Sequence, residues 1–319
     1  MLAIIKSHIK KMLQAAKIAN YFFTDYIFYI KHNIDSDYSK DCLSARIMLT
    51  MHQLEKGMSF TESKRNFGGD KAEMLVGMIR KYIYQYGQDE VCNVAINVLY
   101  EYIQKNNSSK QKSVRKAIIE LCDEYKNVIC KGYAGVKNVS EPPAFDINTI
   151  EKFFATRSSV RDYSTTPITD DEISSALKIA SNTPSACNRQ TTRVYHINDK
   201  TQMNDLINNQ LGNQGWCNNA TSCFIVTVNE CYFGGGYERY QGLIDGGLYA
   251  MNLVWGLHLN HIATCFKMFV REPKREKTFK RIAKIPENEI PIVLVLAGHY
   301  KSSPVVSPKS VRIDFMAKS

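Results

Sequence analysis

Two arginines bracket a pair of hydroxyls in Arg157-Ser158-Ser159-Val160-Arg161, a spacing suited to an oxyanion. Guanidinium groups give bidentate, charge-assisted hydrogen bonds to phosphate oxygens, and serine adds short-range donors. A second cluster, Thr183-Pro184-Ser185-Ala186-Cys187-Asn188-Arg189-Gln190, offers backbone amides together with the Asn188 and Gln190 carboxamides. Carboxamides donate and accept at once, as a pyrimidine edge with alternating carbonyls and N–H requires. A third cluster, Lys309-Ser310-Val311-Arg312, could close on the same phosphate. Each cluster alone also has a plainer reading: a solvated helix end, a polar connecting loop and a basic tail.

The elements around these clusters change character along the chain. Residues 1–135 read as helical, 136–149 as a linker rich in Gly and Pro, and 150–319 as a domain of mixed elements. In the first region Gly57 is expected to close a helix near 39–56, Asp70 with Glu73 to open another, and Gly87 to end it. Further helices fit near 89–105 and 110–129. In the third region Thr169 with Glu172 makes a capping box, and Ile173, Ala176, Leu177 and Ala180 follow at helical spacing. Strands are expected at 193–197, 223–228 and 291–297, the last two as apolar runs covered on both faces. Strands interrupted by helices without regular alternation predict an α+β fold, a sheet flanked by helices. Gly246 to Phe266 holds no Asp, Glu, Lys or Arg over 21 residues. Its glycines, Asn252, His258, Asn260 and His261 argue for a buried helix rather than a membrane span, and a helix apolar on every side suggests burial between two copies of the chain.

The 319 residues can bury a substantial core, and 44% hydrophobic with 23% charged residues is a globular balance, not that expected of a disordered chain. The formal charge of +10 is spread evenly: residues 1–150 hold 21 basic and 16 acidic residues, and 151–319 hold 20 and 15. No arm or domain therefore reads as a nucleic-acid footprint. Nine cysteines without a C-x-x-C pair read as reduced thiols of a cytoplasmic protein, with no metal site. The N-terminus interleaves Lys6, Lys10, Lys11 and Lys17 with apolar residues; it is not a signal peptide, and such a helix can lie on anionic lipid. Segment 271–284 carries seven basic and two acidic residues and reads as a solvated helix face.

Taken in order, the clusters resemble the FMN-dependent nitroreductase family, with its R-x-S-x-R/K opening, P-S-x-x-N-x-Q loop, apolar central helix with early glycines, strand ending in Gly and basic C-terminal contact. Here these are Arg157 to Arg161, Pro184 to Gln190, Ile244 to Leu253, Pro291 to Gly298, and Lys309 with Arg312. The resemblance implies a homodimer with FMN at the subunit interface, NADH or NADPH as electron donor, a small-molecule acceptor and ping-pong kinetics. It places Arg157, Ser159, Arg312 and Lys309 at the ribityl phosphate and Arg161 at the N1 and C2 edge, with Ser158, Pro184, Ser185, Asn188 and Gln190 as further cofactor contacts. It assigns no catalytic side chain. The departures are Thr191-Thr192 in place of the family's Pro-Trp, and His261 to Phe266 in place of a Gly-Leu-Gly turn. These leave a second reading open, an FMN-binding or catalytically silent scaffold using its helices for protein or membrane-surface contacts.

Three further signals have structural readings beside functional ones. His52, in His52-Gln53-Leu54-Glu55-Lys56-Gly57, sits in a stretch similar to helical extensions of nitroreductase-like proteins from surface-polysaccharide loci, and also suits a structural helix end. Cys187 reads as a packed thiol because no general base is placed beside it. Glycines 234–236 match no phosphate-binding fingerprint and suggest a loop over the site.

Overall fold

The computed structural model describes residues 2–33, 39–60, 67–106, 112–212, 219–302 and 305–307. It divides into two compact units, one built from Met1–Pro142, Pro184–Thr191 and Asn229–Asp245, the other from Pro143–Thr183, Thr192–Val228 and Gly246–Ser319.

The first unit is helical: α1 (Leu2–Asn33), α2 (Lys40–Ser59), α3 (Gly69–Tyr86), α4 (Glu90–Lys105) and α5 (Lys112–Glu124). Ile47, Leu54, Leu75, Ile79, Ile96, Leu99, Ile118 and Leu121 form its fully buried centre, each contributing roughly 1.5–3 kcal/mol by leaving water. Asp89 caps α4 through Val91 N–H at 3.1 Å, and also accepts from Tyr82 Oη at 2.5 Å. Burial, then that bond, pushes the Tyr82 hydroxyl up to about 12. Two helix punctuations differ from expectation. Gly57 lies inside α2, because its missing Cβ leaves room for the Phe67 ring. Helix α3 is preceded by Gly68 in the left-handed region (φ 68°), with no side-chain cap. Gly87 ends that helix as expected, with φ 80° and its N–H on the Ile83 carbonyl.

The second unit carries a four-stranded sheet in the order β1-β2-β4-β3, from β1 (Thr192–Ile197), β2 (Ser222–Asn229), β3 (Ile262–Met268) and β4 (Glu289–His299). The pairs β1–β2 and β3–β4 are antiparallel, with Tyr195 opposite Ile225 and Lys267 opposite Leu294. Alternate residues of β2 serve opposite faces, as the two-residue period of a strand requires. Phe224 and Val226 pack with Ile173 and Ala176 of α7 (Asp170–Ala180) and with Leu253, Val254 and Leu257 of α9 (Gln241–Leu259). Cys223 and Ile225 pack with Met203 and Leu206 of α8 (Lys200–Asn209) and Phe279 of α10 (Pro273–Ala283). The expected α+β arrangement is thus present. α7 is opened by the full Thr169–Glu172 capping box.

The apolar run from Gly246 to Phe266 is not one helix. α9 stops at Leu259, His261 turns the chain at φ 56°, and Ile262 starts β3. Asn260 Nδ2 donates to the Gly256 carbonyl at 2.8 Å, satisfying one of the acceptors that a helix end leaves open. Among the described residues no helix is long and apolar enough to cross a membrane. Gly256 is required where α9 meets α7, since a Cβ there would lie 2.6 Å from the Ala176 carbonyl oxygen. The basic segment forms α10, with ion pairs Arg275–Glu272 at 2.9 Å, Lys280–Glu276 at 3.1 Å and Arg271–Glu276 at 3.3 Å.

Candidate functional site

The arginine cluster lies in the second unit, just beyond α6 (Ile147–Thr156), whose first turn is capped by Asp146 through Thr149 N–H at 3.1 Å. Arg157 ends that helix in extended geometry, and the chain then runs beside β3. Ser159 bridges Thr264 in parallel, while Val160 N–H donates to the Thr264 carbonyl at 3.0 Å. Val160 and Tyr163 point inwards, and Tyr163 Oη donates to the Val160 carbonyl at 2.7 Å. Strand alternation therefore turns Ser159 and Arg161 away from the side chain of Val160. Arg157, Ser158 and Ser159 are half-buried and Arg161 is exposed.

Neighbouring groups register this positive field. Burial pushes the Cys265 thiol up, against the opposing pull of Arg161, a bond with Ser159 and Arg157. Burial holds the His258 imidazole below its ordinary value against its bond to the Phe153 carbonyl, and the Arg157 cation lowers it further. His258 Nε2 lies 3.1 Å from both Thr156 Oγ1 and the Phe153 carbonyl, and Tyr300 Oη lies 3.3 Å from Nδ1. The imidazole thus braces the end of α6 beside Arg157.

The second cluster lies in the first unit. Three departures from ordinary backbone within four residues mark it: Cys187 (φ 52°), Asn188 (φ 52°) and Gln190 (φ 50°) are left-handed. Side chains other than Gly and Asn adopt that conformation at a cost of about 1–2 kcal/mol each, so the surroundings must enforce it. They do so through Arg189, which sequence reasoning passed over. Its guanidinium is buried, with Nη1 and Nη2 on the two Glu238 oxygens at 3.0 and 2.8 Å, Nη1 also on the Tyr232 carbonyl at 2.7 Å, and Nε on the Ala186 carbonyl at 3.1 Å. Burial works to raise the Glu238 carboxyl, but Arg189 and the Gly234 N–H together hold it below the usual carboxylate range. The Ala186 N–H donates to Asp245 Oδ2 at 3.0 Å and the Gln190 N–H to Ser185 Oγ at 2.9 Å. Pro184, Asn188 and Gln190 are exposed and Ser185 is half-buried.

Helices of the same unit hold the other flank of this arrangement. Asn229 Nδ2 donates to Asp41 at 2.9 Å, Asn33 Nδ2 to the Glu230 carbonyl at 3.2 Å, and Tyr29 Oη to the Gly235 carbonyl at 2.7 Å. Burial, with Glu230 and Glu238 nearby, pushes the Tyr29 hydroxyl up to about 12. Glycines 234–236 lead into a short turn at Gly236–Glu238 that supplies Glu238. His52 pairs with Glu55 at 3.3 Å within α2. Lys309 and Arg312 lie outside the described residues. Eight described cysteines are free, and no group of described residues could hold a metal.

The two clusters offer different chemistry. Arg157, Ser158, Ser159 and Arg161 suit a phosphate or another anion, while the exposed carboxamides of Asn188 and Gln190 suit a flat polar edge. Each donor set, taken by itself, suits one part of FMN: the first its phosphate, the second its pyrimidine edge.

No curated protein matches the chain in sequence. Among solved structures it is similar to a nitroreductase with bound FMN from Desulfitobacterium hafniense (TM-score 0.45, 20% identity, 55% of this chain and 100% of that one). It is likewise similar to a nitroreductase with bound FMN from Bacteroides fragilis (0.44, 15%, 53% and 98%). A third likeness is to a Parabacteroides distasonis structure described as an NADH dehydrogenase/NAD(P)H nitroreductase (0.47, 13%, 54% and 98%). At the level of sequence families, residues 154–213, which include both clusters, match the nitroreductase family model.

Proposed function

We propose that this chain is an FMN-dependent oxidoreductase of the nitroreductase type, taking hydride from NADH or NADPH and delivering it to a small-molecule acceptor. The observation that supports the reading most directly is that the family match over residues 154–213 spans both donor clusters, each of which presents ligand-ready groups. In this proposal Arg157, Ser158 and Ser159 hold the ribityl phosphate with Lys309 and Arg312. Arg161 stabilises negative charge at the pyrimidine edge, and Pro184, Ser185, Asn188 and Gln190 orient that edge. When bound, FMN supplies the hydride chemistry, while the protein supplies position and field. One site serving donor and acceptor in turn predicts ping-pong kinetics. The proposal includes a cytoplasmic homodimer with the flavin at its interface.

Purification tests it. The expected outcome is a yellow protein with an oxidised-flavin spectrum that NADH or NADPH bleaches anaerobically. A colourless protein that takes up no added FMN sinks the proposal, and a yellow one that neither nucleotide reduces supports the scaffold reading. Arg157→Ala with Arg312→Ala is expected to lose FMN and remain dimeric; full flavin occupancy in that variant would show the phosphate assignment wrong.

A further inference from the structure

α1 breaks the rule that an amphipathic helix buries its apolar face. Over residues 4–20 every side chain is exposed, and packing within its unit begins only at Tyr21. Ile5, Ile9, Met12 and Leu13 stand 50%, 52%, 72% and 67% exposed, and Phe22 and Phe23 are exposed as well. At about 100° per residue, Ile5, Ile9, Met12, Ala16, Phe23 and Ile27 fall within an arc of roughly 60°. Lys6, Lys10 and Lys17 border the wider apolar face, where their stems can run along it and their ammonium groups reach outwards. The first acidic residue is Asp25. Most helical stability in proteins comes from packing an amphipathic face, and a covering surface would supply that here.

The charge pattern selects that surface. Pairing with a second α1 would need opposite charges beside the seam, and the segment before Asp25 has only cations. Lipid of negative charge matches both the lysines and the apolar arc, and Phe22, Phe23 and Tyr26 suit the headgroup boundary. The helix is not apolar enough to cross a bilayer. We infer that α1 lies in the plane of an anionic membrane surface, with its apolar face in the lipid and its lysines at the headgroups. This inference does not depend on the redox reading.

The test uses the full-length protein with phosphatidylcholine vesicles, either pure or containing about one third phosphatidylserine, read by co-sedimentation and by hydrogen exchange over 4–20. Binding to the anionic vesicles only, weakened by salt, with slowed exchange in that segment, is expected. Changing Lys6, Lys10 or Lys17 to Gln is expected to weaken binding about fivefold each, and Ile9→Asp with Met12→Asp to abolish it while thermal unfolding stays cooperative. Absence of binding to anionic vesicles, or unchanged binding by the folded double-Asp variant, overturns the inference. A lipid-independent self-association that the double-Asp variant loses would overturn it too, assigning the face to a second copy.

Discussion

The two donor clusters are presented in opposite ways. Around Ser159 the backbone does the positioning: one bridge and one hydrogen bond to Thr264 align the segment with β3. Around Asn188 a side chain does it. Arg189 spends its whole guanidinium on holding a left-handed loop, and the groups left exposed are Asn188 and Gln190. The same residue type thus acts as a candidate ligand in one cluster and as internal scaffolding in the other. An arginine within a binding motif carries no fixed role until its partners are known.

The sharpest way to break this contrast is Arg189→Met, which leaves Glu238 and the Tyr232 and Ala186 carbonyls without their cation. A loss of about 3–5 kcal/mol is expected, because removing one partner strands the other charge. Urea unfolding measures it, and a loss below 1 kcal/mol would mean that the loop holds its strained shape without Arg189. Arg161→Met, at the exposed end of the other cluster, is the control and should change stability by less than about 0.5 kcal/mol.

A second comparison sets two helical glycines against each other. Gly256→Ala meets the Ala176 backbone at 2.6 Å and is expected to destabilise by about 1–3 kcal/mol through overpacking. Gly77 in α3 has nothing within 4 Å of the added methyl, so Gly77→Ala should stabilise by about 0.5–1 kcal/mol. The same substitution thus takes opposite signs, and thermal midpoints of the two variants report it. The smallest expected effect is a pH slope confined to the second unit. Burial lowers the His196 and His258 pKa values, so the unfolded chain binds more protons than the folded one below the ordinary histidine range. Their stabilising contribution is complete above about pH 6.5 and is lost as pH falls beneath it. His196→Gln with His258→Gln should flatten that acid limb in pH-dependent melts.

Local chemistry made much of the architecture legible. The Thr169–Glu172 box and Gly87 work through neighbours three or four residues away, so their signals survive in the sequence. β3 was hidden because an apolar run without period suits a buried helix and a buried strand alike. The clue was Asn260-His261, a pair able to end a helix and turn left-handed, followed by β-branched Ile262 and Thr264. Gly57 misled because a glycine that admits a distant ring looks the same as one that ends a helix. In the candidate site the clusters were visible as motifs, but the Arg189–Glu238 pair joins residues 49 positions apart and has no local trace.

The path of the chain has a consequence for heredity. It passes from one compact unit to the other five times, at 142–143, 183–184, 191–192, 228–229 and 245–246. A gene fragment starting near the Pro142-Pro143 pair would encode 184–191 and 229–245 without Asp41, Tyr29 or Asn33, which anchor the second of these stretches. The helical region is therefore not a module that recombination could exchange at a single joint. Any replacement would have to arrive together with matching changes in two internal loops, so the helices and those loops are expected to have been inherited as one piece.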